Sequence, residues 1–193
     1  MKIGVLALQG DFAEHIRVLQ QLDIETAQVR LPHQLAGLDG LILPGGESTT
    51  IGKLCVDYGL LQPLQKFGQQ HAMWGTCAGA ILLSKDAART QPLLGLMDIR
   101  VTRNAFGRQV DSFEADLDIE PLKQATHTTA LYHAFFIRAP IITEVKGDAQ
   151  VLAALPDGRI VAALQGRLLA TSFHPELTAD TRFHEYFLSL INA

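Results

Sequence analysis

In the first ninety residues, short continuous apolar runs alternate with stretches of helical spacing. Residues 2–8 form a near-continuous apolar run, as expected of a strand buried on both faces of a parallel sheet. Asp11 follows as a candidate N-cap, and Phe12, Ile16 and Leu19 then recur at helical spacing. Residues 25–29 and 40–43 read as the next two strands, the latter stopped by Pro44-Gly45-Gly46. Helical patterns over 51–58 and 60–70 lead to a fourth strand at 72–76 and a further helix at 78–84. Such alternation predicts a parallel sheet covered by helices on both sides.

From about Leu94 the pattern changes. Strand-like runs occupy 99–103, 109–113, 134–138, 144–146, 151–155, 160–165 and 168–171, several joined by tight turns such as Asp157-Gly158. This half is expected to be antiparallel in part and to end in a helix over 180–191. The stretch 124–133 shows no clear period and reads as a loop or short irregular insertion. No repeat, low-complexity segment or linker interrupts the 193 residues, so one domain is the economical reading.

Composition narrows the partners. Apolar residues make up 48% and charged residues 19%, which excludes wholesale disorder. A net charge of −4 argues against nucleic acid, which calls for a basic face. No apolar run is long enough to span a membrane, and the first ten residues read as strand rather than signal peptide. The two cysteines, Cys55 and Cys77, form no zinc-type pair or disulfide framework. Reduced thiols in the cytoplasm are therefore expected.

Chemistry concentrates in three places. Gly75-Thr76-Cys77-Ala78-Gly79 lies where a buried strand runs into a helix and has the form G-x-nucleophile-x-G. Small flanking residues suit a tight, strained turn that lifts the side chain clear of the backbone. The helix dipole behind it favours the thiolate. A lone cysteine is more often a small buried hydrophobe; the flanking glycines are what tilt this one towards chemistry. Ser172-Phe173-His174-Pro175-Glu176 is the second place. In extended chain, residues i and i+2 share a side, so Glu176 can orient His174 while the other ring nitrogen faces the thiol. Taken alone, a His-x-Glu is more often a surface pair.

The third is Leu43-Pro44-Gly45-Gly46-Glu47-Ser48-Thr49. Paired glycines let a backbone N–H face a developing oxyanion, with the N–H of Ala78 as second donor. A phosphate loop is disfavoured, since no Lys-Ser/Thr follows at the required spacing and Glu47 would repel phosphate. A plain turn is the bland alternative. Other residues take plain readings as well. Cys55 is core, Trp74 packs against a helix, and His15 with Glu14 is a solvated helix face or a partner surface. The histidines show no metal-ligand spacing, so no metal is expected.

Together, Pro-Gly-Gly-Glu-Ser-Thr-Thr, Gly-Thr-Cys-Ala-Gly and Ser-Phe-His-Pro-Glu-Leu-Thr resemble the class I, triad-type glutamine amidotransferases. More narrowly, the chain is similar to the glutaminase subunits of pyridoxal 5′-phosphate synthase. Further segments carry that likeness: Ala7-Leu8-Gln9-Gly10, Glu14-His15, the run from Arg103 to Glu114, and Phe136-Ile137-Arg138-Ala139-Pro140.

The resemblance implies a three-layer, flavodoxin-like α/β fold with a mixed central sheet and a site at the carboxyl ends of its parallel strands. It implies Cys77 as nucleophile, with His174 and Glu176 completing the triad. Gly46 and Ala78 would supply the oxyanion hole. Gly46, Glu47, Ser48, Arg103, Ile137 and Arg138 would bind glutamine. No cofactor is implied, and the ammonia would pass to a separate synthase subunit. Two other readings stay open. One is a class I glutaminase or γ-glutamyl thiol hydrolase serving another pathway; the other is a non-catalytic regulatory subunit that kept the fold.

Overall fold

The computed structural model describes residues 1–103 and 112–192. Its first part holds β1 (Lys2–Leu6), α1 (Phe12–Gln21), β2 (Glu25–Val29), β3 (Gly40–Leu43), α2 (Ser48–Asp57), α3 (Leu61–Gly68), β4 (Ala72–Thr76) and α4 (Ala78–Leu83). Next come β5 (Ser84–Asp86), β6 (Met97–Thr102), β7 (Ser112–Leu117), α5 (Glu120–Ala125) and β8 (Tyr132–Ile137). The chain ends with β9 (Ile141–Val145), β10 (Gln150–Ala154), β11 (Ile160–Gln165), β12 (Leu168–Thr171) and α6 (Arg182–Ile191).

Five strands run parallel in the order β2-β1-β3-β4-β12. This is the doubly wound order 2-1-3-4-5, with β12 in fifth place. Past β12 the sheet turns antiparallel through β11, β9 and β6; β5 then adds parallel to β6, and β10 pairs with β11. β7 and β8 form a separate antiparallel ribbon.

Side chains alternate across each strand, so the buried strands feed two cores. Leu41, Leu43, Met73, Leu168 and Ala170 point to one side, where Ile51, Cys55, Leu64, Phe67 and Leu82 of α2, α3 and α4 cover them. Ile3, Val5, Ile42, Trp74 and Leu169 point to the other, beneath Leu19 of α1, Leu122 of α5 and Phe183 and Phe187 of α6. Trp74 packs on α6, its ring centroid 6.2 Å from that of Phe183 and 5.7 Å from that of Phe187. Burying an aromatic of this size contributes about 1.5–3 kcal/mol. The arrangement is the expected three-layer α/β fold with a mixed sheet.

Some elements differ from the sequence reading. α2 starts at Ser48, not at 51, because the Glu47 carboxylate accepts the Thr50 N–H at 2.9 Å and caps the helix a turn earlier. The first strand stops at Leu6, short of residue 8, and Ser84 opens β5 rather than closing α4. The irregular stretch 124–133 divides between the end of α5, a connection and the first residues of β8. A strand over 109–113 falls partly outside the described residues; the observed strand begins at Ser112. Most of the run from Arg103 to Glu114 lies outside them too. Among the described residues no helix is long and apolar enough to cross a membrane.

Candidate active site

Four neighbouring parallel strands, β1, β3, β4 and β12, end on the same side of the sheet. The segments just past their ends meet there: Gln9-Gly10-Asp11, Gly45-Gly46-Glu47-Ser48, Cys77, and His174-Pro175-Glu176. Ligand crevices in doubly wound sheets lie at these carboxyl ends.

Cys77 stands between β4 and α4 with φ 47° and ψ −100°. A non-glycine residue there carries strain of about 1–3 kcal/mol, which only firm surroundings sustain. Those surroundings are visible. The Cys77 N–H donates to the Thr171 carbonyl at 2.8 Å, tying the turn to β12. A Cβ on Gly75 would come within 2.4 Å of the Gly79 backbone, and one on Gly79 within 1.9 Å of the Leu43 carbonyl oxygen. The flanking glycines are therefore required because α4 starts pressed against the ends of β3 and β4. The N–H of Ala78, at the first position of α4, has no carbonyl within the helix to bond.

His174 and Glu176 meet as expected, but in a different local geometry. Pro175–Leu177 is a 3-10 turn rather than extended chain. It brings His174 Nδ1 to 2.6 Å from Glu176 Oε1. The His174 N–H donates to the Phe135 carbonyl of β8 at 3.0 Å, and Cys77 is among the groups that favour the charged imidazole. Burial opposes a charge on His174, but the bonds to Cys77 and Glu176 outweigh it and push its pKa up to about 10. Burial raises the Glu176 carboxyl while His174 pulls it down. The pair shares one proton across the short Nδ1–Oε1 contact. Asp11 does not cap α1 with its side chain; its Oδ2 lies 3.6 Å from His174 Nδ1.

His15 corrects the sequence reading most. It is fully buried, not on a solvated face. Its Nε2 lies 3.4 Å from Glu176 Oε2 and 3.2 Å from Thr76 Oγ1, and its Nδ1 lies 3.0 Å from His184 Nε2. Burial, with His184 beside it, holds the His15 imidazole neutral; burial likewise lowers His184 to about 3.

The glycine loop lies against β1. Gly45 accepts the Asp11 N–H at 3.1 Å, and Glu47 donates its N–H to Gln9 Oε1 at 2.8 Å. In a trans peptide the N–H points opposite the carbonyl, so the Gly46 N–H faces away from Asp11. Gly46 has φ 148°, where a Cβ would meet Gln9 Oε1 at 2.7 Å. Glu47 pairs with Arg103 at 2.7 Å. The Thr49 hydroxyl first, then Thr50 and Arg103, hold its carboxyl at about 2 against the effect of burial. Ser48 is buried, its hydroxyl 3.4 Å from Gln91 Oε1. Ile137 closes β8, just beyond the Phe135 carbonyl that holds His174, and Arg138 after it turns the chain with φ 44°.

Among the described residues, the group close enough to hold a metal ion is Asp11, His174 and Glu176, whose ligand atoms lie within 4.8 Å of one another. His174 Nδ1 and Glu176 Oε1 there are already bonded to each other. Cys55 is a free, fully buried thiol of α2 whose pKa burial pushes up to about 12. Cys77 is the thiol that has a base. A strained thiol, an imidazole that responds to it, a carboxylate behind the imidazole and backbone N–H groups nearby can together perform acyl transfer from an amide.

Comparison with known proteins agrees. A model of the SNO glutamine amidotransferase family matches residues 5–193. A pyridoxal 5′-phosphate synthase subunit PdxT of Herpetosiphon aurantiacus is 58% identical over 195 residues, 98% of this chain and 100% of the relative. One of Moorella thermoacetica is 53% identical over 193 residues, 99% and 100% of the two chains. A glutamine amidotransferase crystal structure superposes with a TM-score of 0.91 at 49% identity, covering 99% of each chain. The PurLQS structure from Thermotoga maritima shares the fold, with a TM-score of 0.71 at 17% identity over 99% and 97% of the two chains.

Proposed function

The chain belongs to the SNO glutamine amidotransferase family, and from that premise we propose that it hydrolyses L-glutamine at Cys77 and delivers the ammonia to a pyridoxal 5′-phosphate synthase subunit. The observation that carries this reading is the strained Cys77 turn beside His174, whose Nδ1 lies 2.6 Å from Glu176 Oε1.

In the proposed reaction the Cys77 sulfur attacks the side-chain amide carbon of glutamine. Charge collects on the amide oxygen, within reach of the N–H groups of Gly46 and Ala78. His174 gives its proton to the nitrogen, the C–N bond breaks, and ammonia leaves a γ-glutamyl thioester on Cys77. His174 then takes a proton from water, which attacks the thioester and releases glutamate with the thiol restored. Glu176 keeps the ring oriented and stabilises its charge.

Arg103 and Arg138 suit the α-carboxylate of the substrate and Glu47 its α-ammonium. Glutamine would therefore bind by intruding on the Glu47–Arg103 pair. Residues 1–193 act as one cytoplasmic domain in a hetero-oligomer. Because free ammonia would be lost, the subunit is slow alone and stimulated by docking.

The test is glutamate release from glutamine by the wild-type chain and Cys77→Ala, with and without the synthase subunit. Stimulation of wild type by the partner and no release by Cys77→Ala are expected. Full partner-dependent activity in Cys77→Ala would overturn the reading. A γ-glutamyl peptide cleaved faster than glutamine would favour the thiol-hydrolase alternative.

A further inference from the structure

We propose that His15 is a positioning residue for Glu176, an imidazole whose Nε2–H is set beside the outer carboxylate oxygen and is itself oriented by His184. This rests on the triad reading and extends it inward by two side chains.

Glu176 is 4% exposed, and its Oε1 is taken by His174. Its Oε2 is enclosed without a hydrogen bond among the described residues, and His15 Nε2 lies 3.4 Å away. An enclosed carboxylate oxygen without a donor strongly disfavours the anion. Whether Glu176 stays charged therefore depends on what His15 presents to it. An N–H stabilises the anion; a bare ring nitrogen repels it.

The His15–His184 contact settles which. Both rings are neutral, and His15 Nδ1 and His184 Nε2 are 3.0 Å apart, so one must donate and the other accept. If His15 donated from Nδ1, its Nε2 would accept the Thr76 hydroxyl, with its lone pair 3.4 Å from Glu176 Oε2. His184 would then carry its proton on Nδ1, a buried nitrogen without any partner among the described residues. If His184 donates from Nε2 instead, His15 accepts at Nδ1 and carries its proton on Nε2. Thr76 Oγ1 accepts that proton at 3.2 Å, and Glu176 Oε2 lies beside it at 3.4 Å. The orphaned His184 Nδ1 is then a bare acceptor, which is the cheaper group to leave unpaired.

Trp74 keeps the arrangement dry. It meets both rings edge to face, with centroids 5.5 Å from His15 and 4.9 Å from His184. Its own N–H is spent on Thr171 Oγ1 at 3.1 Å. The order His184, His15, Glu176, His174, Cys77 thus runs from α6 through α1 to the thiol.

Two measurements decide. Nitrogen-15 NMR of the histidine rings in the full wild-type chain should find Nε2 protonated and Nδ1 bare in both His15 and His184. A protonated Nδ1 on His15 would overturn the proposal, and this readout needs no variant to fold. Second, His15→Leu and His15→Gln are compared in the complex with the synthase subunit. Gln places an amide N–H near the lost Nε2–H; Leu does not. A misplacement of about 1 Å at a reacting group costs on the order of 100-fold, and a fall of up to that size is expected in kcat of His15→Leu with KM for glutamine unchanged. His15→Gln should recover to within a few-fold of wild type. Equal losses in both variants would make His15 a packing residue, and wild-type kcat in His15→Leu would end the proposal. The Cys77→Ala control separates the layers: its activity tests the triad, whereas the tautomer and the Leu–Gln contrast test His15 alone.

Discussion

Gly45→Ala separates the placement of His174 from its chemistry. A Cβ at Gly45 would lie 2.6 Å from His174 Cε1, 3.1 Å from Nδ1 and 3.0 Å from Asp11 Oδ2. Non-bonded carbons settle at about 3.5–4.0 Å, so the ring or the loop must yield by about 1 Å. The backbone raises no objection, because Gly45 is not in a positive-φ conformation. A displacement of about 1 Å at a reacting group costs on the order of 100-fold in rate, which is about 2.7 kcal/mol of activation free energy. Overpacking costs about 1–3 kcal/mol of stability, so the chain should still fold. Glutamate release is measured in the synthase complex, beside a thermal melt. Gly59→Ala is the control: nothing lies within 4 Å of its Cβ but φ is +65°. It should lose about 1 kcal/mol of stability and no activity. A kcat/KM for Gly45→Ala within twofold of wild type would refute the close packing of His174 on the glycine loop.

Other consequences concern charge and thiol chemistry. Glu47 is held at about 2 in the fold against an ordinary value of 4.5; the unfolded chain thus binds the proton first as pH falls. Its contribution is complete above about 4.5 and is lost towards about 2, and with the side chain 40% exposed the effect is small. The difference in Tm between wild type and Glu47→Gln should narrow as the solution is acidified through that window; a constant difference would contradict the assignment. Cys77→Ala removes one of the bonds that keep His174 charged up to about 10. Its imidazole should then titrate at lower pH by NMR, and an unchanged titration would deny the contact. Iodoacetamide should label one cysteine per native chain and none in Cys77→Ala, because Cys55 is fully buried with its thiol raised to about 12. Labelling at Cys55 would show that α2 opens.

Much of this was legible in the residues. Gly75 and Gly79 announced the tight turn at Cys77, since close backbone approach leaves room for nothing larger. The pairing of His174 with Glu176 was also readable, although the reasoning from extended chain was not the actual cause. Pro175 opens a 3-10 turn that achieves the same meeting. His15 was missed because its neighbour Glu14 suggested solvent. Yet His15, Val18 and Leu19 are the buried residues of α1, spaced i, i+3 and i+4, and that spacing was the available signal. β5 and α5 escaped notice because three and six residues are too few for a strand alternation or two full helical turns to show. The Glu47–Arg103 pair joins distant segments with no shared pattern, so only the folded chain reveals it.

The position of β12 in the sheet has a consequence for synthesis. Cys77 is bonded to Thr171 through its backbone, and β4 completes its pairing only when β12 arrives. A ribosome-bound chain that has emerged as far as β11 carries Cys77 without His174, Glu176 or the strand that sustains the strained turn. Domains form as units during translation, so a truncated product would be inert towards glutamine.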